Sequence, residues 1–299
     1  MQEKSFYLQK SLTITQKYYL FKKNKIQKML DKLFVFDIET IPDTEVLYNL
    51  TGSTTTDEKE KRKELEEYSS EISGGNPFPR QLFHKVVSIS ILIADIKKVN
   101  GYEYYEINKI GTISNIDNTE KEMTEKFFNY LCKYTPRIVD YNGRTFDLPV
   151  MKYRAMKYGI SIENIFKSGD KWNNYNQRYS IDWHCDLLDV LSDFGASAKC
   201  KMNEVCSILG IPGKIGIDGS KVAYMFDEGK LKDIDNYCET DVLNTYLVYL
   251  NYGLLSGLIN YDNFIQMNKN LKDYMIDKHL PHFDEFLEEW KKVDTRSIF

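Results

Sequence analysis

The sequence predicts an α/β domain, and three observations carry that expectation. The stretch Leu33-Phe34-Val35-Phe36-Asp37-Ile38-Glu39-Thr40 begins as a continuous apolar run rich in β-formers, the pattern of a strand buried on both faces. Two further apolar stretches, Val86 to Ala94 and Tyr102 to Ile107, flank a turn-like linker from Lys97 to Gly101 and read as a hairpin. Glu120 to Tyr134 and Leu231 to Tyr252 carry apolar residues at helical spacing.

The first strand ends at a cost. Strand side chains alternate faces, so Leu33, Val35, Asp37 and Glu39 point one way and Phe34, Phe36 and Ile38 the other. The two carboxylates follow each other on one face, roughly 7 Å apart. Unpaired, they repel and disfavour burial. Two answers stay open at this point: a bound hard cation, which prefers oxygen ligands, or a strand end whose acids are simply solvated.

Before this strand, residues 1–32 carry eight lysines and no arginine, with no apolar core of a signal peptide, and read as a basic extension. Met29, just ahead of the strand, is a candidate start. After the strand, Ile41-Pro42-Asp43 ends the regular structure and Glu45 to Leu50 suggests a short helical turn. Residues 51–76 are polar and read as a mobile surface insertion, with Glu58 and Arg62 as a supporting i, i+4 pair. Gly74-Gly75-Asn76-Pro77 breaks the chain. Thr119 and Glu122 form a capping box for the helix from Glu120, which Pro136 stops. Arg137 to Tyr141 is a fourth strand, followed by Asn142-Gly143 and a helix starting around Leu148, with Pro149 tolerated in its first turn. At that helix start Asp147 reads, taken alone, as an ordinary N-cap.

Ile181 to Phe194 reads as a helix containing His184-Cys185-Asp186-Leu187-Leu188-Asp189, with His184 a structural residue more than a phosphate contact. Met202 to Leu209 is a short helix closed by Gly210 and Pro212. Gly213 to Gly219 lacks the spacing of a phosphate-cradling loop. Ser220 to Asp227 is again helical. In the long helix from Leu231, Asp241 lies within the apolar stripe, too far in to be a cap, with Tyr237 one turn before it. A core-facing aspartate needs a partner, and a tyrosine hydroxyl or a backbone group would suffice. Helices around Tyr261 to Ile276 and His282 to Val293 close the chain, and His279 and His282 read as surface residues.

Composition narrows the function. The chain has 299 residues, 42% of them hydrophobic, with no apolar run of membrane-spanning length. Five cysteines with no Cys-x-x-Cys pair argue against a disulfide framework or zinc site and for a reducing, cytoplasmic setting. A net charge of -4 disfavours gripping long nucleic acid by charge alone, so a nucleic-acid substrate would need a local patch or metal ions.

Phe36-Asp37-Ile38-Glu39-Thr40, Asn142-x-x-x-Phe146-Asp147 and Tyr237-x-x-x-Asp241, in this order, resemble the three exonuclease motifs of the DEDD superfamily. A tyrosine four residues before the last aspartate is the mark of its DEDDy branch. Phe83 to Ser90, Arg178-Tyr179-Ser180, His184-x-Asp186-Leu187-Leu188-Asp189 and Tyr237-Cys238-Glu239-Thr240-Asp241 are similar to stand-alone 3′-5′ exonucleases related to the proofreading domain of family-B DNA polymerases. The likeness covers Leu33 to Leu254. The chain ends soon after the third motif, so no polymerase domain is expected. The division that follows is a basic extension at 1–32, an exonuclease domain at 33–256 with an insertion at 51–76, and a C-terminal helical extension at 257–299.

The resemblance implies a ribonuclease H-like fold: a mixed central sheet with helices on both faces. It implies that Asp37, Glu39, Asp147 and Asp241 converge and bind two divalent ions, Mg2+ or Mn2+, about 3.5–4 Å apart. Tyr237 would orient the attacking water, since a phenol of pKa about 10 is a poor base at neutral pH. Thr40, Asn142, Arg144 and Phe146 would contact substrate. Lys152, Arg154 and Lys157 face phosphate or, more simply, solvent. The expected substrate is the 3′ end of a single strand, DNA ahead of RNA, with a non-catalytic nucleic-acid-binding module as the third alternative.

Overall fold

A computed structural model describes residues 30–216 and 219–293. The basic extension up to residue 29, and with it the Met29 start, lies outside them. Five strands form one sheet in the order β3-β2-β1-β4-β5: β1 (Lys32–Pro42), β2 (His84–Val99), β3 (Tyr102–Ser114), β4 (Arg137–Asp140) and β5 (His184–Asp186). β2 is antiparallel to β1 and β3, while β4 is parallel to β1 and β5. This is the mixed sheet of a ribonuclease H-like fold, as expected. The helices are α1 (Leu47–Thr51), α2 (Glu58–Ser73), α3 (Glu120–Tyr134), α4 (Asp147–Lys157), α5 (Glu163–Lys167), α6 (Leu187–Leu191), α7 (Met202–Leu209), α8 (Val222–Asp227), α9 (Leu231–Leu255), α10 (Tyr261–Lys278) and α11 (Pro281–Val293).

The alternation along β1 splits its side chains between two cores. Leu33 and Val35 pack with Val242, Tyr246 and Leu250 of α9 and with α10 and α11 through Met267, Leu271 and Phe286. Phe34, Phe36 and Ile38 pack with Phe127 and Leu131 of α3 and Val150 and Met151 of α4. Asp37 and Glu39 therefore continue the face that α9 covers. The C-terminal helices share the core of the sheet. They also close over the outer side of β3: Glu103 N donates to Leu258 O at 2.9 Å, Asn263 Nδ2 donates to Glu103 O at 3.0 Å, and Ile110 N donates to Tyr274 OH at 3.0 Å.

The structure corrects four local readings. His184–Asp186 is not helical but a short strand on β4, too brief for alternation to reveal it, and only Leu187–Leu191 continues as helix. Residues 58–73 are no loose insertion: Leu65 of α2 packs against Leu47 and Phe83, and Arg62 pairs with Asp227, while Glu58 turns to Lys61. His282 is buried, its Nε2 2.7 Å from Glu239 Oε2 on α9, so it is not a surface residue. Arg154 is only 2% exposed and faces neither phosphate nor solvent.

Arg154 joins α4 to the residue that follows β1. Its guanidinium donates to Asp43 Oδ2 at 2.6 Å and to Glu120 Oε2 of α3, and Glu120 in turn accepts the Val86 N–H of β2 at 2.7 Å. Against burial, Arg154 and Lys157 hold the Asp43 carboxyl below the usual range. Removing one member of such a buried ion pair strands the others. Arg154→Met is therefore expected to cost about 3–5 kcal/mol of unfolding free energy by urea titration. A loss under about 1 kcal/mol would show that this network is not what ties α4 to the sheet.

Candidate active site

Midway along β1 the carboxylates of Asp37 and Glu39 and the thiol of Cys238 on α9 lie with their donor atoms within 4.8 Å of one another. The pairing with β2 shifts register between Glu39 and Thr40, a bulge at the point where the acids emerge. Cys238 donates to the Asp37 carbonyl at 3.4 Å, which seats α9 against the strand.

Asp147 reaches the same place from β4. The chain turns through Asn142, in the left-handed region at φ 74°, and Gly143, where a Cβ would stand 2.3 Å from the Asp140 carboxyl carbon. One buried side chain, Asp186, fixes this turn. It accepts the Asn142 and Arg144 N–H groups at 2.9 and 3.0 Å and caps α6 through Leu188 N and Asp189 N. Phe146 holds the cap position of α4, so Asp147 is its first helical residue and its carboxylate is free for other work. Burial and Asp140 push the Asp147 carboxyl up to about 8, while the N–H of Ile38, between Asp37 and Glu39, pulls it down.

Asp241 comes from the buried face of α9, 2% exposed. Its Oδ2 accepts from Lys214 Nζ at 2.7 Å, and its Oδ1 is buried without a hydrogen-bond partner among the described residues. Lys214 also donates to the Tyr237 hydroxyl oxygen. Burial, Asp147 and Asp241 push the Asp37 carboxyl well up; burial, Asp37 and Asp241 do the same to Glu39. Burial raises Asp241 too, opposed by Lys214. Asp147 and Asp241 thus act on Asp37, and Asp37, Asp147 and Asp241 act on Glu39. Burial, Asp241 and Glu39 push the Tyr237 phenol well above its ordinary value, so it stays protonated.

Lys214 is the member of this group that sequence reasoning missed. Its loop is pinned by Asn244, which exchanges two hydrogen bonds with Gly213, and by Asn203 Oδ1, which accepts Lys214 N–H at 2.7 Å. Gly213 has φ +73°, and a Cβ there would meet Asn203 Oδ1 at 2.9 Å. The signal was a lysine beside such a glycine, opposite a core aspartate whose partner was unidentified. A cavity of about 630 Å3 opens over Asp37 and Asp241, lined also by Asn142, Lys199, Lys201 and Lys214 among others. Its lysines supply the local positive rim that the overall charge does not.

The remaining expected residues divide. Asn142 lines the cavity. Arg144 turns beneath the loop, toward the carbonyl of His184 at 3.5 Å and the carboxylates of Asp140, Asp186 and Asp189. His184 is buried and its Nε2 meets Asp140 Oδ2 at 2.6 Å. Burial holds this imidazole down at about 3, so the ring is neutral at neutral pH, while burial and Asp186 push the Asp140 carboxyl up. Phe146 packs edge-on against His84, ring centroids 4.9 Å apart. Burial keeps His84 below its ordinary value, so it carries one ring proton at neutral pH. The Pro79 carbonyl, 3.0 Å from Nε2, can only accept, so Nδ1 accepts from the Thr40 hydroxyl at 2.9 Å.

The donor set suits a divalent cation that favours oxygen: four carboxylates, each raised by burial, one with a buried oxygen left unpartnered among the described residues. No helix among the described residues is long and apolar enough to cross a membrane.

Comparison with known proteins agrees with this chemistry. Residues 76–290 match the model of a family described as a predicted 3′-5′ exonuclease related to the exonuclease domain of PolB. That range contains Asp147, Lys214, Tyr237 and Asp241, while Asp37 and Glu39 precede it. The chain is 32% identical over 122 residues to DNA polymerase 1 of Saccharolobus solfataricus, covering 39% of this chain and 14% of that protein. It is 30% identical over 122 residues to DNA polymerase 1 of Sulfurisphaera ohwakuensis, covering 38% and 13%. A DNA polymerase of Archaeoglobus fulgidus is 24% identical over 133 residues, covering 43% and 17%. The chain thus spans well under a fifth of the length of these relatives. Since the family model covers most of the chain, the chain belongs to the family of predicted 3′-5′ exonucleases related to the PolB exonuclease domain.

Proposed function

We propose that this exonuclease hydrolyses single-stranded DNA from its 3′ end to nucleoside 5′-monophosphates, using two divalent cations, Mg2+ or Mn2+. The observation that supports the reading most is that Asp37, Glu39, Asp147 and Asp241 are all raised by burial, with Asp37 and Glu39 raised further by neighbouring acids, which a cation would relieve. DNA is favoured over RNA because the similar proteins are named DNA polymerases.

In this reading the four carboxylates hold the cations, with Asp241 Oδ1 as a ready ligand atom. Such ions, when bound, make a water nucleophilic near neutral pH and neutralise charge on the scissile phosphate. Tyr237, kept protonated, positions that water by hydrogen bond. Lys214 keeps Asp241 ionised and fixes the Tyr237 oxygen. Thr40, whose hydroxyl proton goes to His84, presents an oxygen lone pair suited to accept the terminal 3′-hydroxyl. Asn142 lines the cavity the last nucleotide would enter, and Phe146 offers an apolar wall beside it. Arg144 acts here through the acids under the loop.

On 5′-labelled single-stranded DNA with Mg2+ or Mn2+, shortening from the 3′ end is expected, and chelation stops it. Asp37→Ala and Asp241→Ala should each lower the rate by on the order of a thousandfold, the loss of several kcal/mol of charge stabilisation. Unchanged rates in both variants, or products that shorten from the other end, would refute the mechanism. Labelled RNA run in parallel decides the sugar preference.

Lys214→Met removes one preorganised donor and is expected to lower kcat on the order of a hundredfold with little change in KM. A change in KM alone would place the lysine on substrate binding instead.

The raised carboxyls also set a pH dependence. Groups raised in the folded state bind protons more tightly there, so they favour folding at low pH. That contribution fades as pH rises above the unfolded value of about 4, for Asp147 through about 8. Cation replaces the protons. The gain in Tm from Mn2+ over chelator should therefore be larger at about pH 8 than at about pH 5. An equal gain at both, or the same gain in the Asp37→Ala/Asp241→Ala double variant, would argue against binding at these acids.

A further inference from the structure

Cys238 brings sulfur to a group of oxygen ligands. Its Sγ lies 3.4 Å from the Asp37 carbonyl oxygen and 3.8 Å from Asp37 Oδ2. With one carboxylate oxygen each from Asp37 and Glu39 it makes three donor atoms, all within 4.8 Å of one another. Glu39 and Cys238 are buried, while Asp37 is half-buried and lines the cavity. A fourth donor stands beside them. Asp241 follows Cys238 by three residues, so the two lie on one face of α9. Asp241 lines the same cavity as Asp37, and its Oδ1 is buried with no hydrogen-bond partner among the described residues.

Hydrolysis by hard cations uses carboxylate oxygens and leaves this sulfur idle. Mg2+ gains little from sulfur, whereas a thiolate selects softer ions, Zn2+ among them. Zn2+ binds sulfur at about 2.3 Å and carboxylate oxygen at about 2.0–2.2 Å, in a tetrahedron. Two such ligands therefore stand about 3.3–3.7 Å apart. The 3.8 Å between Cys238 Sγ and Asp37 Oδ2 is close to that span. One thiol cannot build the closed all-cysteine zinc cage that the spacing of the five cysteines argues against. Among carboxylates it makes a mixed sulfur–oxygen site instead.

We propose that the Cys238 thiol makes this centre a site for a thiophilic divalent cation, Zn2+ foremost, held by the Cys238 sulfur, one oxygen each of Asp37 and Glu39, and Asp241 Oδ1. On binding, the S–H bond breaks, the proton leaves to solvent, and the sulfur lone pair forms the bond to the ion; nothing is oxidised or reduced. Such an ion takes oxygens from the carboxylates that would hold Mg2+ or Mn2+, so it competes with them and stops hydrolysis. This inhibitory role rests on the nuclease reading above; the sulfur bond itself does not.

The test uses the full chain with Cys132→Ser and Cys200→Ser, which removes the two cysteines that are not buried. Cd2+ is the probe, because a cadmium–thiolate bond absorbs in the ultraviolet. A band that saturates at one equivalent is expected, and adding Cys238→Ser should abolish it. No band in the parent would overturn the proposal without any change at Cys238. A band that survives Cys238→Ser would also overturn it, by placing the ion on Cys185 or Cys206. In strand degradation supported by Mg2+, Zn2+ should inhibit. Cys238→Ser should raise the Zn2+ concentration for half-inhibition by at least about tenfold, the lower end of what altering even an outer-shell partner costs a metal site. Each chain is measured against its own rate without Zn2+. Equal inhibition in both would show that Zn2+ takes the carboxylates alone and refute the part given to sulfur. If the band appears and strands stay intact, the nuclease reading falls and the sulfur site stands. If strands are degraded and no band appears, this inference alone falls.

Discussion

Buried carboxyls on and around the middle of one strand constitute the constraint around which this protein is arranged. Burial raises the pKa of Asp37, Glu39, Asp147 and Asp241 by removing the water that would screen their charges, and Asp241 adds to the rise at Asp37 and Glu39. Left to themselves they would separate. The elements that carry them are accordingly held by contacts made elsewhere, where charges cancel. Arg154 clamps α4 to the exit of β1, Asp186 gathers four backbone N–H groups under the Asn142 turn, and the Cys238 thiol seats α9 on Asp37. The framework is close to neutral where it supports and charged only where it works, which is the arrangement expected of a preorganised site.

Lys214 answers the same constraint from within. Its ammonium sits against Asp241 and Tyr237, and its pKa is held above the ordinary value by those partners against the pull of burial. It cancels one of the charges without occupying the remaining Asp241 oxygen. A side chain with three donors and a long stem is suited to this, because it can shift as other positive charge arrives.

Much of the design is legible in the amino-acid order, and the limits follow from range. Period-two alternation along Leu33 to Glu39 separates the two cores, because both faces of β1 are covered and each residue has one destination. The capping box at Thr119 and Glu122 is visible because it is wholly local, and it forms as expected. His184 to Asp186 is too short to show a period, and its pairing with β4 bridges more than forty residues. Arg154 resembles any solvated arginine on a helix until Asp43 and Glu120, brought from distant segments, close around it. His282 and Glu239 hid each other in the same way. At the site, the acids stand out because carboxylates are anomalous within apolar patterns, whereas Lys214 lies in a polar loop where a lysine is unremarkable. Its role depends on Asn244 and Asn203, which hold the loop by contacts that spacing does not encode.

The helices after residue 257 do more than extend the core. β3 is a long outer strand, and its free backbone groups are a template onto which another extended chain could add. Leu258, Asn263 and Tyr274 already engage the outward groups of Glu103 and Ile110. The C-terminal helices thus act as a guard against edge-to-edge aggregation, and a chain shortened ahead of α10 would trade a closed sheet for a sticky one.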